Sequence, residues 1–583
     1  MTAAEKGAAR ASEAPGPVQR LRFGILCNGL LFPAWQAAVI RNLLVSGAAE
    51  PVLLIIEARP EQGRARTRRT LFHRLFQRYW AKRRLAALRS VSLSAELGDL
   101  PMIVSRAALQ SPDQETMLSP EAATELRGHR LDFVLQCTAS LPPREIVNAT
   151  RLGVWSYHAT SEDAHGALTA FWVYRNALSI LPRVLFRRMP RETSILYSGA
   201  FRAGASWAGS LDAALLGSAD WCTRVCRQLL IEPHEGGCTA PLHEAALQVR
   251  LPNNGDVLSF LLRRSVMVLR ALLRRCFFLE YWNVGLIDAS IDSVISKGRA
   301  DSVRWLGPKR PLHYLADPFA LPEMPSWILC EEYSHRTGLG WISALPLSDR
   351  GSAPRRLAPF DRGTHRSYPF LFTADGAIYC VPESAAERRV ELYRAVNFPD
   401  RWQRVSTLVE EFPALDTSVF LHEDRWWLFC TSADEGGEHK LHAWHAAALA
   451  GPWQPHRLNP LKCDVSSSRP AGRPFMAGGS LYRPAQDCSR TYGGAIILNK
   501  ITRLTPTAFA EEPAGRIEPA AASGYGDGLH TVCPFGSATI IDGKRFVFDL
   551  RTPFLGVMRA IERFRPKSDA SGALSVPSGS YQK

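Results

Sequence analysis

The chain has 583 residues, 46% of them hydrophobic, which supports several folded cores and excludes a disordered or fibrous protein. Lys and Arg number 70 against 55 Asp and Glu, a net charge of +15 that favours acidic partners such as phosphates, nucleotides or anionic lipid surfaces. Twelve cysteines, scattered without a CxxC pair, exclude a disulfide scaffold and fit buried thiols in a reducing cytosol. The expected location is therefore cytoplasmic, with peripheral membrane contact as the alternative.

Residues 1–20, rich in Ala, Glu, Gly and Pro and lacking an apolar core, are expected to form a disordered tail rather than a signal peptide. From Arg22 the pattern alternates apolar strand, helix and apolar strand. RFGILCNG, PVLLIIEA and LDFVLQCT predict buried parallel strands, and Ala34 to Ser46 predicts a helix after the first. This alternation implies a doubly wound α/β sheet over residues 21–240. Ligands of such sheets bind beyond the carboxyl ends of the strands, which places Asn28, Cys137 and the loop after His158 on one rim. His158 closes the apolar run GVWSYH, where a neutral imidazole can shuttle a proton near pH 7. The alternative is a histidine packed against Trp155 and Trp172.

Two basic stretches follow. Arg64 to Arg89 holds ten basic residues and no acidic one, with Leu71, Phe72, Leu75, Phe76 and Trp80 at helical spacing. No nucleic-acid-binding signature accompanies it, so it reads as a solvated basic helix and no nucleic-acid partner is expected. Leu258 to Leu279 is long enough to span a bilayer but carries arginines at 263, 264, 270, 274 and 275. At 100° per residue these occupy an arc of about 140°, making an amphipathic helix that does not span. It is expected to pack its apolar face between domains, the alternative being an anionic membrane surface. Residues 241–310 are accordingly assigned to a helical linker.

From residue 311 to 556 five stretches look alike, starting near Asp317, Tyr368, Thr417, Pro474 and His530. Each has a short apolar strand, a turn at Gly, Asp or Glu, and a second strand with Trp, Tyr or Phe. The first four add a third strand. A spacing of roughly 50 residues is a propeller-blade period, so the region predicts an all-β five-bladed propeller. Residues at the inner strand ends then converge: Asp317, Asp416 and His530 on first strands, Glu383 and Gln486 on second strands. Carboxylates sharing one polar funnel can divide acid and base roles, because like charges separate their pKa values. The alternative has Asp317 and Asp416 capping turns while Glu383 pairs with Arg388 or Arg394. His313, His335, His365, His442 and His445 lack metal-ligand spacing, so no metal is expected from them, while an axial metal near His530 stays open. Residues 557–583 are expected to be a disordered tail.

Two resemblances add to this reading. GVWSYHAT at 153–160 followed by HGALTAFW at 165–172 resembles the formyltransferase family, which implies a Rossmann-type fold over roughly residues 20 to 240. It also implies the cofactor 10-formyltetrahydrofolate, with an amino sugar or sugar nucleotide as acceptor. The resemblance implies His158 as the catalytic histidine. Ser156 stands where the family has asparagine, His165 beside Gly166 stands where it has a loop arginine, and Glu192 is the available acid. Losing an oxyanion donor costs on the order of 10²–10³ in rate. The second resemblance rests on YLADPF (314–319), CEE (330–332), VPES (381–384), LYRAVNFPDRW (392–402), DTSVF (416–420), GPWQPH (451–456), RPAG (469–472), YRPAQDC (482–488) and GLHTV (528–532). This region resembles the N-terminal domain of plant glucosamine inositolphosphorylceramide transferases, itself similar to arabinanase and levansucrase type propellers. It implies Asp317 as base or nucleophile, while the later acids of those glycosidases do not map cleanly onto Glu383 and Asp416. These two stand as catalytic candidates on the propeller's convergence, with Arg469, Gln486, Asp487 and His530 as candidate substrate contacts. The expected function is formyl transfer directed at a carbohydrate, with a propeller that recognises or processes the glycan. The alternatives are a glycoside-active propeller on a degenerate formyltransferase-like scaffold, and a non-catalytic glycan or glycolipid binder.

Overall fold

The structure, a computed structural model, describes residues 20–58, 71, 85–106, 118–138, 142–159, 180–189, 194–202, 207–232, 253–307, 310–347 and 353–556. Residues 1–19 and 557–583 of the expected tails, residues 64–70 and 72–84 of the basic stretch, and His165, Gly166 and Glu192 lie outside these residues.

In the first unit, strands Met102–Arg106, Ala49–Ala58, Leu21–Cys27, Phe133–Gln136 and Val154–Ala159 lie side by side in that order, all parallel. Phe23, Ile25, Leu54, Phe133 and Leu135 are buried in one continuous core, as near-unbroken apolar runs require when both sheet faces are covered. The helix Ala34–Ser46 ends at Gly47, whose φ of 64° supplies the left-handed C-cap. Two antiparallel strands, Ile180–Met189 and Ser194–Arg202, extend the edge. The sequence reading did not anticipate them: ILPRVLFRRM contains a proline and three arginines, which interrupt the apolar run of a buried strand.

The second unit is a ring of five sheets. Blade one comprises His313–Ala320, Trp327–Ser334, Leu339–Pro346 and Arg355–Arg356; blade two, Ser367–Ala374, Ala377–Glu383, Val390–Asn397 and Arg401–Val409. Blade three is built on Ala414–His422, Arg425–Ser432 and Lys440–Ala446, and blade four on Phe475–Ala477, Ser480–Asp487, Ala495–Leu504 and Phe509–Pro519. Blade five takes its inner strands, Val532–Phe535 and Ala538–Phe548, from the end of the region and its outer strands, Phe278–Ile287 and Arg304–Trp305, from before blade one. Phe278–Ile287 pairs antiparallel with Ala538–Phe548 over ten residues, from Phe278↔Phe548 to Ile287↔Thr539. The ring is therefore closed by hydrogen bonds between distant parts of the chain, leaving no free inner edge.

This corrects two expectations. The stretch 241–310 is not a helical linker throughout, because its second half supplies blade five. The basic helix, Asn254–Phe277, does not bury its apolar face between domains: only Asp256, Val257 and Phe260 are buried, and Leu258, Leu262 and Leu269 are more than half exposed.

The α/β unit is docked on blade three and the segment leading to blade four. Arg224 Nη1 donates to the carbonyls of Leu458 and Pro460 at 3.0 Å each, and Tyr197 Oη accepts from the Cys463 N–H at 3.0 Å. Val465 N–H donates to Ala200 O at 3.0 Å, Arg202 pairs with Glu438 at 3.2 Å, and Lys440 pairs with Asp220. The approach is close enough that a Cβ on Gly199 would lie 2.3 Å from Cys463 O.

Candidate functional site

The innermost strands of blades one, two and three share a local device. The register shifts between Ala316 and Phe319, between Ser367 and Phe370, and between Leu415 and Ser418. Within each bulge one residue takes a left-handed backbone: Asp317 with φ 50°, Tyr368 with φ 44° and Asp416 with φ 50°. Such residues cost on the order of 1–3 kcal/mol each and persist only where the surroundings fix them. A bulge re-aims its side chain, and here all three reach neighbouring blades.

Asp317 Oδ1 accepts from the Thr531 hydroxyl at 3.2 Å and faces His530 Nε2 at 3.3 Å, while its Oδ2 accepts from the Tyr368 N–H at 3.3 Å. Asp542 completes this side. Its Oδ1 accepts from the N–H groups of His530 and Thr531 at 2.9 and 3.0 Å, and its Oδ2 contacts His530 Nδ1 and the Asp317 N–H. Across the axis Asp416 Oδ2 accepts from Arg469 Nε at 2.5 Å and Gln486 Nε2 at 2.6 Å. Glu383 Oε2 accepts from the Asp416 N–H at 3.1 Å. Tyr368 Oη joins the two sides, bonding Ser418 Oγ at 3.1 Å and accepting from the Gly472 N–H at 2.7 Å. Asp317, Asp416, Asp542, His530, Gln486 and Tyr368 are all almost wholly buried.

The electrostatics follow from that burial. Burial works against charge on His530, but the Asp542 and Asp317 carboxylates outweigh it and hold the imidazole above its ordinary pKa. Burial likewise opposes the Arg469 charge, and Asp416 more than restores it. Burial pushes the Tyr368 hydroxyl well up, so it serves as a neutral donor and acceptor. Asp317, His530 and Asp542 each offer a ligand atom within 4.8 Å of the others, a group that could hold a cation. Their four carboxylate oxygens already accept from Thr531, His530 and backbone N–H groups, so a cation would have to displace those bonds.

The predicted axial residues Asp317, Glu383, Asp416, Arg469, Gln486 and His530 are thus brought together. Asp487 points elsewhere, pairing with Arg516 at 2.6 Å. The turn-capping alternative does not hold either: Arg388 pairs with Asp434 at 2.9 Å, not with Glu383. Asp542, Thr531, Tyr368 and Trp282 were missed. Asp542 sits in IIDGK, which reads as a turn but lies inside a continuous strand.

Trp282 lies on a strand that stands between the axis and a cavity. Its indole stacks on His530 with ring centroids 3.9 Å apart, and the opposite face of the same strand lines a cavity of 630 Å³ between blades one and five. Tyr281, Tyr314, Tyr525, Arg310 and Arg545 share the wall. Arg545 lies over the Tyr525 ring at 4.7 Å, and its buried Nε has no hydrogen-bond partner. An aromatic wall with a guanidinium suits a sugar ring that bears an anionic group.

On the rim of the α/β sheet, Asn28 is exposed just beyond one strand and Cys137 lies beyond its parallel neighbour, where its carbonyl accepts from Gln36 Nε2 at 3.1 Å. His158 belongs to the adjacent strand, its backbone opposite Leu185, and Ser156 is buried two residues before it.

Residues 306–518 match the family model described as glucosamine inositolphosphorylceramide transferase 1, N-terminal. The glucosamine inositolphosphorylceramide transferase 1 of Oryza sativa subsp. japonica is 35% identical over 210 residues, 35% of this chain and 28% of that protein. Its Arabidopsis thaliana counterpart is 35% identical over 208 residues, 34% and 27% of the two chains. The chain therefore spans under a third of the length of the curated relatives it matches. Among solved structures, the exo-beta-1,3-galactanase 1,3Gal43A from Clostridium thermocellum is similar at 10% identity and a TM-score of 0.28, over 35% of this chain and 50% of that one. That likeness is too slight to bear on mechanism.

Proposed function

We propose that this is a glycan-directed protein whose propeller engages the acidic sugar head group of a glycolipid, with the α/β unit as a docked scaffold. The cavity between blades one and five carries the reading, because it joins aromatic planes to the Arg545 guanidinium. The names of the relatives speak of glucosamine and of inositolphosphorylceramide, a phosphorylated sugar-alcohol head group on a lipid. A peripheral contact with an anionic membrane fits, since a lipid-borne sugar is met at a bilayer surface. Calorimetry of the full chain with inositol phosphate and with glucosamine tests it. Arg545→Gln is expected to weaken inositol phosphate binding about ten- to a hundredfold, the size of one lost charge-assisted hydrogen bond. Unchanged binding, or none by the unaltered protein, removes the proposal.

The glycoside-active reading is favoured by one observation, the convergence of Asp317, Glu383 and Asp416 on one axis. A glycosidic general acid needs a carboxyl kept protonated near neutrality, whereas Asp416 is clamped by Arg469. Under this reading Asp317→Asn abolishes sugar turnover and leaves calorimetric binding intact. Formyl transfer from 10-formyltetrahydrofolate at His158 competes with both, and titration with a folate analogue separates it.

A further inference from the structure

The Asn254–Phe277 helix is anchored at its two ends, by Val257 and Phe260 at the first and by Arg274 over the Phe546 ring at 3.5 Å near the second, and its apolar face is uncovered between them. Asn253 and Asp256 form a capping box, and Val257 and Phe260 are buried against the body of the protein. From Leu261 to Phe277 no side chain is buried. Leu258, Leu262, Val266, Leu269, Leu272 and Leu273 are 45–61% exposed. At 100° per residue they fall within an arc of about 120°, flanked by the arc of about 140° that holds the five arginines. The helix has no acidic residue after Asp256.

The apolar strip continues past the helix end. Phe548 packs on Phe277 and Phe278 with centroids 6.1 and 5.6 Å away, and Phe548, Leu550 and Phe554 are more than half exposed. Phe548 and Leu550 also line the cavity that holds Arg545. So large an uncovered strip marks an interaction surface. Its charge selects the occupant. A second copy would bring the same five arginines against these, and the Arg64 to Arg89 stretch of this chain is itself basic throughout. No helix among the described residues is long and apolar enough to cross a membrane.

We propose that this face docks on an anionic lipid bilayer, with the helix lying in the interface plane and the cavity mouth turned towards the head groups. Aliphatic side chains enter the acyl boundary while the adjoining arginines meet lipid phosphates and carboxylates. The inference rests on the glycolipid reading and deepens it by naming the surface that meets the bilayer, while its test fails independently of sugar binding.

Flotation of the full chain with vesicles of phosphatidylcholine alone, or phosphatidylcholine doped with phosphatidylserine, is the test. The protein is expected to float with the doped vesicles only, and less so as salt rises. Leu262→Glu, Leu269→Glu and Leu273→Glu together should lower binding at least tenfold, and Arg263→Gln, Arg270→Gln and Arg275→Gln together roughly a hundredfold, at about 1 kcal/mol per arginine near the surface. All six side chains project from the bare part of the helix, so an unchanged thermal melt should confirm the fold. Arg545→Gln should float normally, which separates failure of sugar binding from failure of docking. The proposal falls if the unaltered protein ignores doped vesicles or if the leucine variant binds them undiminished. It falls equally if sedimentation without lipid shows a dimer that the leucine variant dissolves, which would assign the face to a second copy.

Discussion

Arg469 and Asp416 are both buried, and their charges are compensated chiefly by each other. Replacing one partner leaves the other charge stranded, whereas replacing both with apolar residues removes two desolvation penalties at once. Arg469→Met is therefore expected to destabilise the propeller by about 3–5 kcal/mol in urea denaturation, and adding Asp416→Leu should recover much of that loss. Tyr368→Phe removes the acceptor of the buried Gly472 N–H, for an expected cost of about 1–3 kcal/mol. A variant series in which the double change is the worst of the three would show that the pair does not act as a unit. Part of this constellation was legible in the sequence: Asp317, Asp416 and His530 open units of equal period, so a propeller must bring them to one axis. Tyr368 was not, because an aromatic at a strand start reads as core and only its left-handed backbone turns the hydroxyl across the axis. Asp542 was hidden by the glycine after it.

At the scale of the elements, the five units could be read from their alternation, but the fifth looked short. It offered two strands because its outer pair lies more than 200 residues upstream, and periodicity does not register a pairing between distant segments. The same gap misplaced the boundary, putting Phe278–Ile287 into a linker. A fragment of residues 278–555 is thus expected to fold with a cooperative melt, while 311–555 exposes the Ala538–Phe548 edge and aggregates or melts without a transition. Equal melts for the two would show that the closing strands are dispensable. Close packing adds a second check. Gly472 has φ 120°, and a Cβ there would lie 2.0 Å from the Val532 carbonyl oxygen, so Gly472→Ala should cost at least about 2 kcal/mol in the same measurement.

For the whole molecule, the question is whether the two units behave as one body, and their interface is titratable. Lys440 is clasped by Asp220 of the α/β unit and by Glu435 at 3.0 Å, and Glu435 also meets His442 at 2.6 Å. Burial would raise the Glu435 carboxyl, but His442 and Lys440 outweigh it and hold its pKa at about 2. His439 packs against Phe201 of the α/β unit with ring centroids 5.6 Å apart, and burial, with Lys440 adding, depresses its pKa to about 4. Both shifts act in the same direction on acidification. A separated His439 takes up a proton near its ordinary value of about 6.5 while the docked one resists until about 4, so docking weakens as pH falls across that window. The depressed Glu435 contributes stability that is present above about 4.5 and lost as pH falls towards 2. Calorimetry should accordingly show one transition near pH 7 that splits into two towards pH 4, as the α/β unit parts from the propeller before either unfolds. His439→Gln should keep the single transition down to pH 4, because Glu435 takes its compensation from His442 and Lys440 of its own blade and keeps it after the units part. A single transition persisting to pH 4 in the unaltered protein would mean that the contacts that do not titrate in this range, Arg224 to the Leu458 and Pro460 carbonyls and Tyr197 to Cys463, hold the units together without the acid-sensitive cluster.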